Sequence, residues 1–220
     1  MIKKIEFNWD HAHKKILSHC KKRKIGFLTS AFCIEDAQKV KKLKVDYFKI
    51  PSGEITNIPL LKYIGSQNKK TILSTGMSTI KEIDIAFKAL LLSGLKKKNL
   101  IILQCTSAYP TPINELNLNT ILFFKKRYKV EIGLSDHSTG ILTPTIAIGL
   151  GARYIEKHFT ISKKLKGPDH KASLIKSELK TLIQNIRILE KSLGNYKKII
   201  TKSEKHNKIL VRQSVHARED

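Results

Sequence analysis

The chain has 220 residues, 41% of them hydrophobic, which is enough apolar material for one sizeable core and excludes a disordered or fibrous chain. Lys and Arg number 42 against 18 Asp and Glu, a formal net charge of +24, but the lysines are spread along the whole chain and no nucleic-acid-binding motif accompanies them. Its three cysteines, Cys20, Cys33 and Cys105, form no C-x-x-C pair, Met1–Asn8 lacks a signal-peptide core, and no apolar run approaches the roughly 18 residues of a membrane span, so a cytoplasmic protein with reduced thiols and no membrane partner is expected.

In chain order, one unit recurs: a short apolar run, a polar cluster, then a helical pattern. The runs are Ile25–Leu28, Tyr47–Ile50, Thr71–Leu73, Leu100–Leu103, Val130–Leu134 and Arg153–Glu156. Strands alternating with helices predict βαβ units in a parallel sheet, apolar on both faces because both are covered. The polar clusters begin at Thr29, Ser52, Ser74, Thr106, Ser135 and His158. Their spacing predicts a parallel (β/α) barrel of the TIM type, but six units fall short of the eight that a full barrel needs, and the expected fold is an incomplete barrel.

Two helices between these strands are well signposted. Thr79 and Glu82 have the spacing of a capping box, Ile83, Ala86, Phe87, Leu90 and Leu91 form an apolar stripe, and Gly94 follows as a stop. A last helix places Leu179, Leu182, Ile183, Ile186, Leu189 and Leu193 on one face and ends at Gly194.

The strand ends carry the chemistry. Lys49 lies between Phe48 and Ile50 in a run expected to be buried, where an ammonium is costly unless it meets an anion such as a phosphate, or a carboxylate of the core. Ser52-Gly53, Ser74-Thr75-Gly76 and Thr106-Ser107 place hydroxyls and loop amides at successive strand ends, where an oxyanion can be held. Because strand side chains alternate, Ser135 shares a face with His137 and Glu156 shares one with His158. Neighbouring strands lie roughly 5 Å apart, so the two imidazoles can share a divalent metal, with Asp136 and Glu156 near enough to orient rings or balance charge. Two histidines with oxygen ligands or water suit a divalent ion, manganese among others.

The runs Phe48–Asn57, Ile72–Met77, Cys105–Pro112, Gly133–His137, Ile155–Thr160 and Gly167–His170, in order and with compatible spacing over most of the chain, resemble the sialic acid synthase family. Members make N-acetylneuraminate and its relatives legionaminate and pseudaminate, and the Ser-Gly-Glu-Ile-Thr-Asn version looks closer to the neuraminate and legionaminate branch. The resemblance implies condensation of phosphoenolpyruvate with an open-chain N-acetylated hexosamine to give a nine-carbon 2-keto acid and phosphate. It implies phosphoenolpyruvate contacts from Thr29, Lys49, Ser52, Ser74, Ser107 and Ser135, and catalytic roles for Lys49 and Glu156. Sugar contacts would come from Tyr109 and Asp169, and a divalent metal, typically Mn2+, would be held by His137 and His158. At Ser107 family members often carry Asn.

The resemblance implies that family members begin with two further strands, bearing a glutamate and a second lysine, which are not expected among the residues before Thr29. Members also continue into an antifreeze-like domain on which their homodimer depends. Residues 1–200 are thus expected to form a partial synthase barrel, and residues 201–220 a linker toward that domain, with Val211–Asp220 resembling its entrance. Three readings follow: a synthase core that needs complementation, a non-enzymatic remnant that still binds ligands, and a basic nucleic-acid-binding module, ranked last.

Overall fold

The computed structural model describes residues 9–212, so the N-terminal octet and the part of the Val211–Asp220 resemblance beyond Arg212 lie outside the described residues. Two helices, α1 (Trp9–Lys22) and α2 (Ile34–Lys42), precede five strands: β1 (Tyr47–Ile50), β2 (Lys70–Ser74), β3 (Leu100–Cys105), β4 (Glu131–Asp136) and β5 (Tyr154–Lys157). Between them run α3 (Ile58–Ser66), α4 (Ile80–Leu92), α5 (Thr120–Tyr128) and α6 (Leu142–Gly149), and α7 (Lys176–Ser192) and α8 (Lys202–Val211) follow. The strands pair in parallel and in sequence order, β1-β2-β3-β4-β5. Sequential order with a helical crossover at each step is the wiring of a (β/α) barrel, and the sheet is a curled part of one.

The run Ile25–Leu28 does not form the expected strand. Ile25 and Leu28 are 64% and 39% exposed, and only a single bridge, Ser30 to Lys49, joins this segment to β1. With solvent rather than a covered sheet face against them, these side chains gain little from a ladder.

The core lies between the sheet and its helices. Outward-facing Phe48, Ile50, Leu73, Ile102 and Ile132 are buried against Leu60, Ile64, Leu90 and Phe124. The inner face holds a smaller cluster of Ile72, Ile101 and Leu103, packed by Tyr47 and Tyr154. Strands covered on both sides explain the continuous apolar runs of the sequence.

Helix α4 starts as expected, with the Thr79 hydroxyl accepting from Glu82 N while Glu82 accepts from Thr79 N, and Ile83, Ala86 and Leu90 are buried. Gly94 follows at φ 109°, a conformation that glycine adopts without strain. Helix α7 forms too, but of its apolar stripe Leu182 is buried while Ile183 is 48% and Leu193 53% exposed. The segment expected as a linker carries α8, begun by a capping box of Thr201 and Glu204. Among the described residues no helix is long and apolar enough to cross a membrane.

Asp84 on α4 ties that helix to α5 by a two-pronged ion pair with Arg127 and a 2.9 Å hydrogen bond from the Tyr128 hydroxyl. The Arg127 guanidinium holds its carboxyl below the ordinary value of 3.8, against a smaller opposing effect of burial. Since the folded pKa is depressed, this stabilisation is present above pH 3.8 and is lost as pH falls through the lower folded value. Asp84→Ala is expected to cost about 1 to 2 kcal/mol in urea unfolding at pH 7, discounted for the partial exposure of the pair, and the difference from the parent should shrink at acid pH.

Candidate active site

The C-terminal ends of all five strands open into one cleft of about 600 Å3. Lys49, Ser52, Ser74, Ser107, Tyr109, Ser135, His137, Glu156 and His158 line it, so most of the residues singled out in the sequence meet in one place. Two do not line it. Thr29 is replaced at the wall by its neighbour Ser30, because the bridge to Lys49 forms at residue 30 and alternation turns the adjacent side chain away. Asp169 lies behind His158, its Oδ2 3.8 Å from Nδ1.

Lys49 has the anion that a buried ammonium requires. It is 6% exposed, donates to Ser74 Oγ at 2.8 Å and lies 3.2 Å from Glu156 Oε2. The other carboxylate oxygen of Glu156 accepts from Ser135 Oγ at 2.7 Å, so a polar chain runs from β2 through β1 and β5 to β4. Glu156 is the acidic residue among those lining the cleft, and its side chain is 40% exposed. An incoming anion can take its place on Lys49 without leaving a carboxylate buried and unpaired.

Beside Lys49 the loops close tightly. Gly76 N donates to Ser52 Oγ at 2.9 Å, and the Ser52 hydroxyl points to Cys105 Sγ at 3.7 Å. A methyl group on Gly76 would collide with Ser107 Oγ and crowd Ser52 Oγ. Gly76→Ala is therefore expected to cost about 1 to 3 kcal/mol of stability, measured by urea unfolding.

The two histidine rings have centroids 5.3 Å apart, and Tyr109 packs on both, 4.2 Å from His137 and 5.5 Å from His158. His137 Nδ1 is 2.8 Å from the Thr106 carbonyl oxygen. A carbonyl only accepts, so this contact assigns the proton to Nδ1 and leaves the Nε2 lone pair for a ligand. Asp136 makes no direct contact with the ring. Its carboxylate lies on the opposite face, 2.6 Å from Lys157 Nζ. Among the described residues no group of three His, Cys, Asp or Glu converges, so the chain offers two imidazoles and leaves further positions to oxygen ligands. Two imidazoles with open positions are a donor set that a divalent ion accepts.

The electrostatics separate the two rings. Burial opposes a charge on His137, but the Cys105 sulfur, the Thr106 carbonyl and Glu156 outweigh it and leave its pKa above the ordinary value. For His158, burial and the positive charge of His137 prevail over Asp169 and Glu156, and its pKa lies below the ordinary value. Burial pushes the Cys105 thiol up, yet His137, Ser52 and Ser135 more than offset it. Cys105 and Ser30 were not singled out as site residues in the sequence. Strand alternation carried the signal for Cys105, which shares a face of β3 with Leu103 and Ile101.

The chain matches the NeuB family over residues 1–198. It belongs to that family. It is 46% identical, over its full length, to an N,N'-diacetyllegionaminic acid synthase of Campylobacter jejuni serotype O:2, covering 66% of that protein. Identity to a pseudaminic acid synthase of Campylobacter jejuni serotype O:23/36 is 36%, over 99% of this chain and 62% of that one. The chain thus spans less than two thirds of the length of these relatives. Among solved structures, an N-acetylneuraminic acid synthetase of Leptospira borgpetersenii superposes with a TM-score of 0.82 at 32% identity, over 91% of this chain and 70% of that one. The partial barrel described above is accordingly the NeuB-type barrel, and the cleft lies at the end of the sheet where such barrels carry their active sites.

Proposed function

We propose that this NeuB-family chain carries the phosphoenolpyruvate site and the aldehyde-activating site of a synthase. That synthase joins phosphoenolpyruvate to an open-chain N-acetylated hexosamine, giving a nine-carbon 2-keto acid and phosphate. The observation that carries the reading is the meeting of a buried, hydroxyl-ringed Lys49 with the His137 and His158 pair in one cleft. Synthases named for legionaminic and pseudaminic acids among the relatives support the same substrate class, and the higher identity to the former favours a legionaminate-type sugar.

Lys49, with Ser74, Ser52, Ser107 and Ser135, holds the phosphate and carboxylate of phosphoenolpyruvate, which displace Glu156 from the ammonium. His137 and His158 would hold a divalent ion, Mn2+ in this reading, and the ion would supply Lewis acidity to the site. Tyr109 offers a flat face and a hydroxyl to the sugar, and Asp169 a carboxylate beyond His158. The π electrons of phosphoenolpyruvate form the new bond from C3 to the aldehyde carbon, whose oxygen takes up a proton. Water adds at C2, and the tetrahedral adduct then collapses: the electrons of the remaining O–H bond form the keto group, its proton passes to the departing phosphate, and phosphate leaves with the electrons of its C2–O bond. Glu156, freed from Lys49 and held through Ser135, takes the proton of the added water. The hydroxyl ring around Lys49 keeps the oxyanion oriented while charge moves from C3 to phosphate.

The test is phosphate release from phosphoenolpyruvate with Mn2+ and either N-acetylmannosamine or a 2,4-diacetamido-trideoxyhexose, with mass spectrometry of the product. The reading expects sugar-dependent release matched by a nine-carbon keto acid. Release of phosphate together with pyruvate, and no new carbon–carbon bond, would refute it.

A further inference from the structure

Beyond the cleft, the ends of β4 and β5 are joined by a buried ion pair that the chemistry above leaves unused. Asp136 and Lys157 are the last residues of their strands and register partners in the ladder. Their side chains are 0% and 5% exposed, on the face away from the cleft, with Lys157 Nζ 2.6 Å from Asp136 Oδ2. The same ammonium donates to the Ser138 carbonyl, and Asp136 Oδ1 accepts from Ser138 N at 2.9 Å. A closed ring of contacts therefore grips the residues on both sides of His137, and it is anchored on the residue that precedes His158.

We propose that the Asp136–Lys157 pair is a positioning clamp that sets His137 against His158 for metal binding. This rests on the metal reading above. The paired β4–β5 ladder ends at Asp136 and Lys157, so strand hydrogen bonds do not fix the spacing of the two histidines that follow. An apolar pair at these positions would hold the strands as firmly, since replacing a buried ion pair by apolar groups is often neutral in stability. It could not reach past the last rung to a carbonyl. The directional bond from Lys157 to Ser138 does so, and extends the register of the sheet to the ligand residues. Each histidine has a further tie: the Thr106 carbonyl on the His137 ring, and the Leu174 amide donating to the His158 carbonyl at 2.8 Å. Of these hydrogen-bonded ties, the clamp is the one that joins the two histidine-bearing segments to each other, beside the ring contacts of Tyr109.

The experiment uses the full chain, with free Mn2+ counted by electron paramagnetic resonance and phosphoenolpyruvate affinity taken by calorimetry. The double variant Asp136→Asn/Lys157→Met removes both charges together, so no lone charge is left buried, and Asn keeps the bond from Ser138 N. The double variant is expected to fold with a cooperative melt and to bind Mn2+ at least about tenfold more weakly than the parent. Its phosphoenolpyruvate affinity should stay within about twofold, because the Lys49 cradle shares no contact with the pair. Parental Mn2+ affinity in the double variant would overturn the clamp. Equal losses of both ligands, or failure to fold, would make the pair a structural strut and overturn it as well. A parent chain whose Mn2+ binding is absent, or is unchanged in His137→Ala, would instead sink the metal reading on which the clamp depends.

Discussion

Replacing Lys49 with methionine is expected to weaken phosphoenolpyruvate binding by about 2 to 4 kcal/mol, roughly 30- to 1,000-fold, while leaving the chain folded. The side chain keeps its length and apolar stem and loses its charge. In the parent, that charge is 6% exposed and stabilised by Ser74 and Glu156, so an entering phosphate meets a cation with few competing partners and little water. Without it the same oxyanion faces hydroxyls and Glu156, which repels it. Stability should change by less than about 1 kcal/mol, because removing the ammonium leaves Glu156 half-exposed and still bonded to Ser135. Calorimetry with phosphoenolpyruvate, read beside a thermal melt, checks both halves. Unaltered affinity would move the anion site away from Lys49.

His137→Ala and His158→Ala are each expected to lower Mn2+ affinity by at least about 100-fold, beyond the 10- to 100-fold typical of changes outside the ligands themselves. The two should differ in stability. His137 is 5% exposed and its Nδ1 shares the Thr106 carbonyl with the Thr111 hydroxyl at 3.2 Å, so its loss removes one of that carbonyl's two bonds, leaves a buried space and costs about 1 to 2 kcal/mol. The His158 side chain is 34% exposed and only 3.8 Å from Asp169, so its loss should cost less than about 1 kcal/mol. Similar melting shifts with different metal losses, or the reverse, would misplace the anchoring contact.

Much of this site is legible in the sequence because strands obey a period of two. Once β4 and β5 are placed, Ser135 with His137 and Glu156 with His158 must share the inner face, and a parallel sheet carries them to one rim. Lys49 was legible for a different reason, as a charge embedded in an apolar run. The register at the open edge was not. Thr29 and Ser30 differ only in which one bridges Lys49, and a single bridge with exposed flanks leaves no periodic pattern to decide it. Partners across the sheet were equally hidden. Asp136 sits beside His137 in sequence, yet it turns to Lys157, and the proton of His137 is fixed by a backbone carbonyl from β3's following loop, which no residue type announces. The stripe of α7 is helical in spacing, but its half-covered face depends on what packs against it.

The central claim is that an oxyanion on Lys49 and a metal on the two histidines occupy one cleft at the same time. It is tested most directly by following the 31P resonance of phosphoenolpyruvate bound to the full chain as Mn2+ is added. The account predicts saturable binding and strong paramagnetic broadening of the bound phosphate. That broadening should vanish in His137→Ala although phosphoenolpyruvate still binds, and binding itself should be lost in Lys49→Met. Bound phosphoenolpyruvate that stays sharp while Mn2+ saturates the parent chain would contradict it.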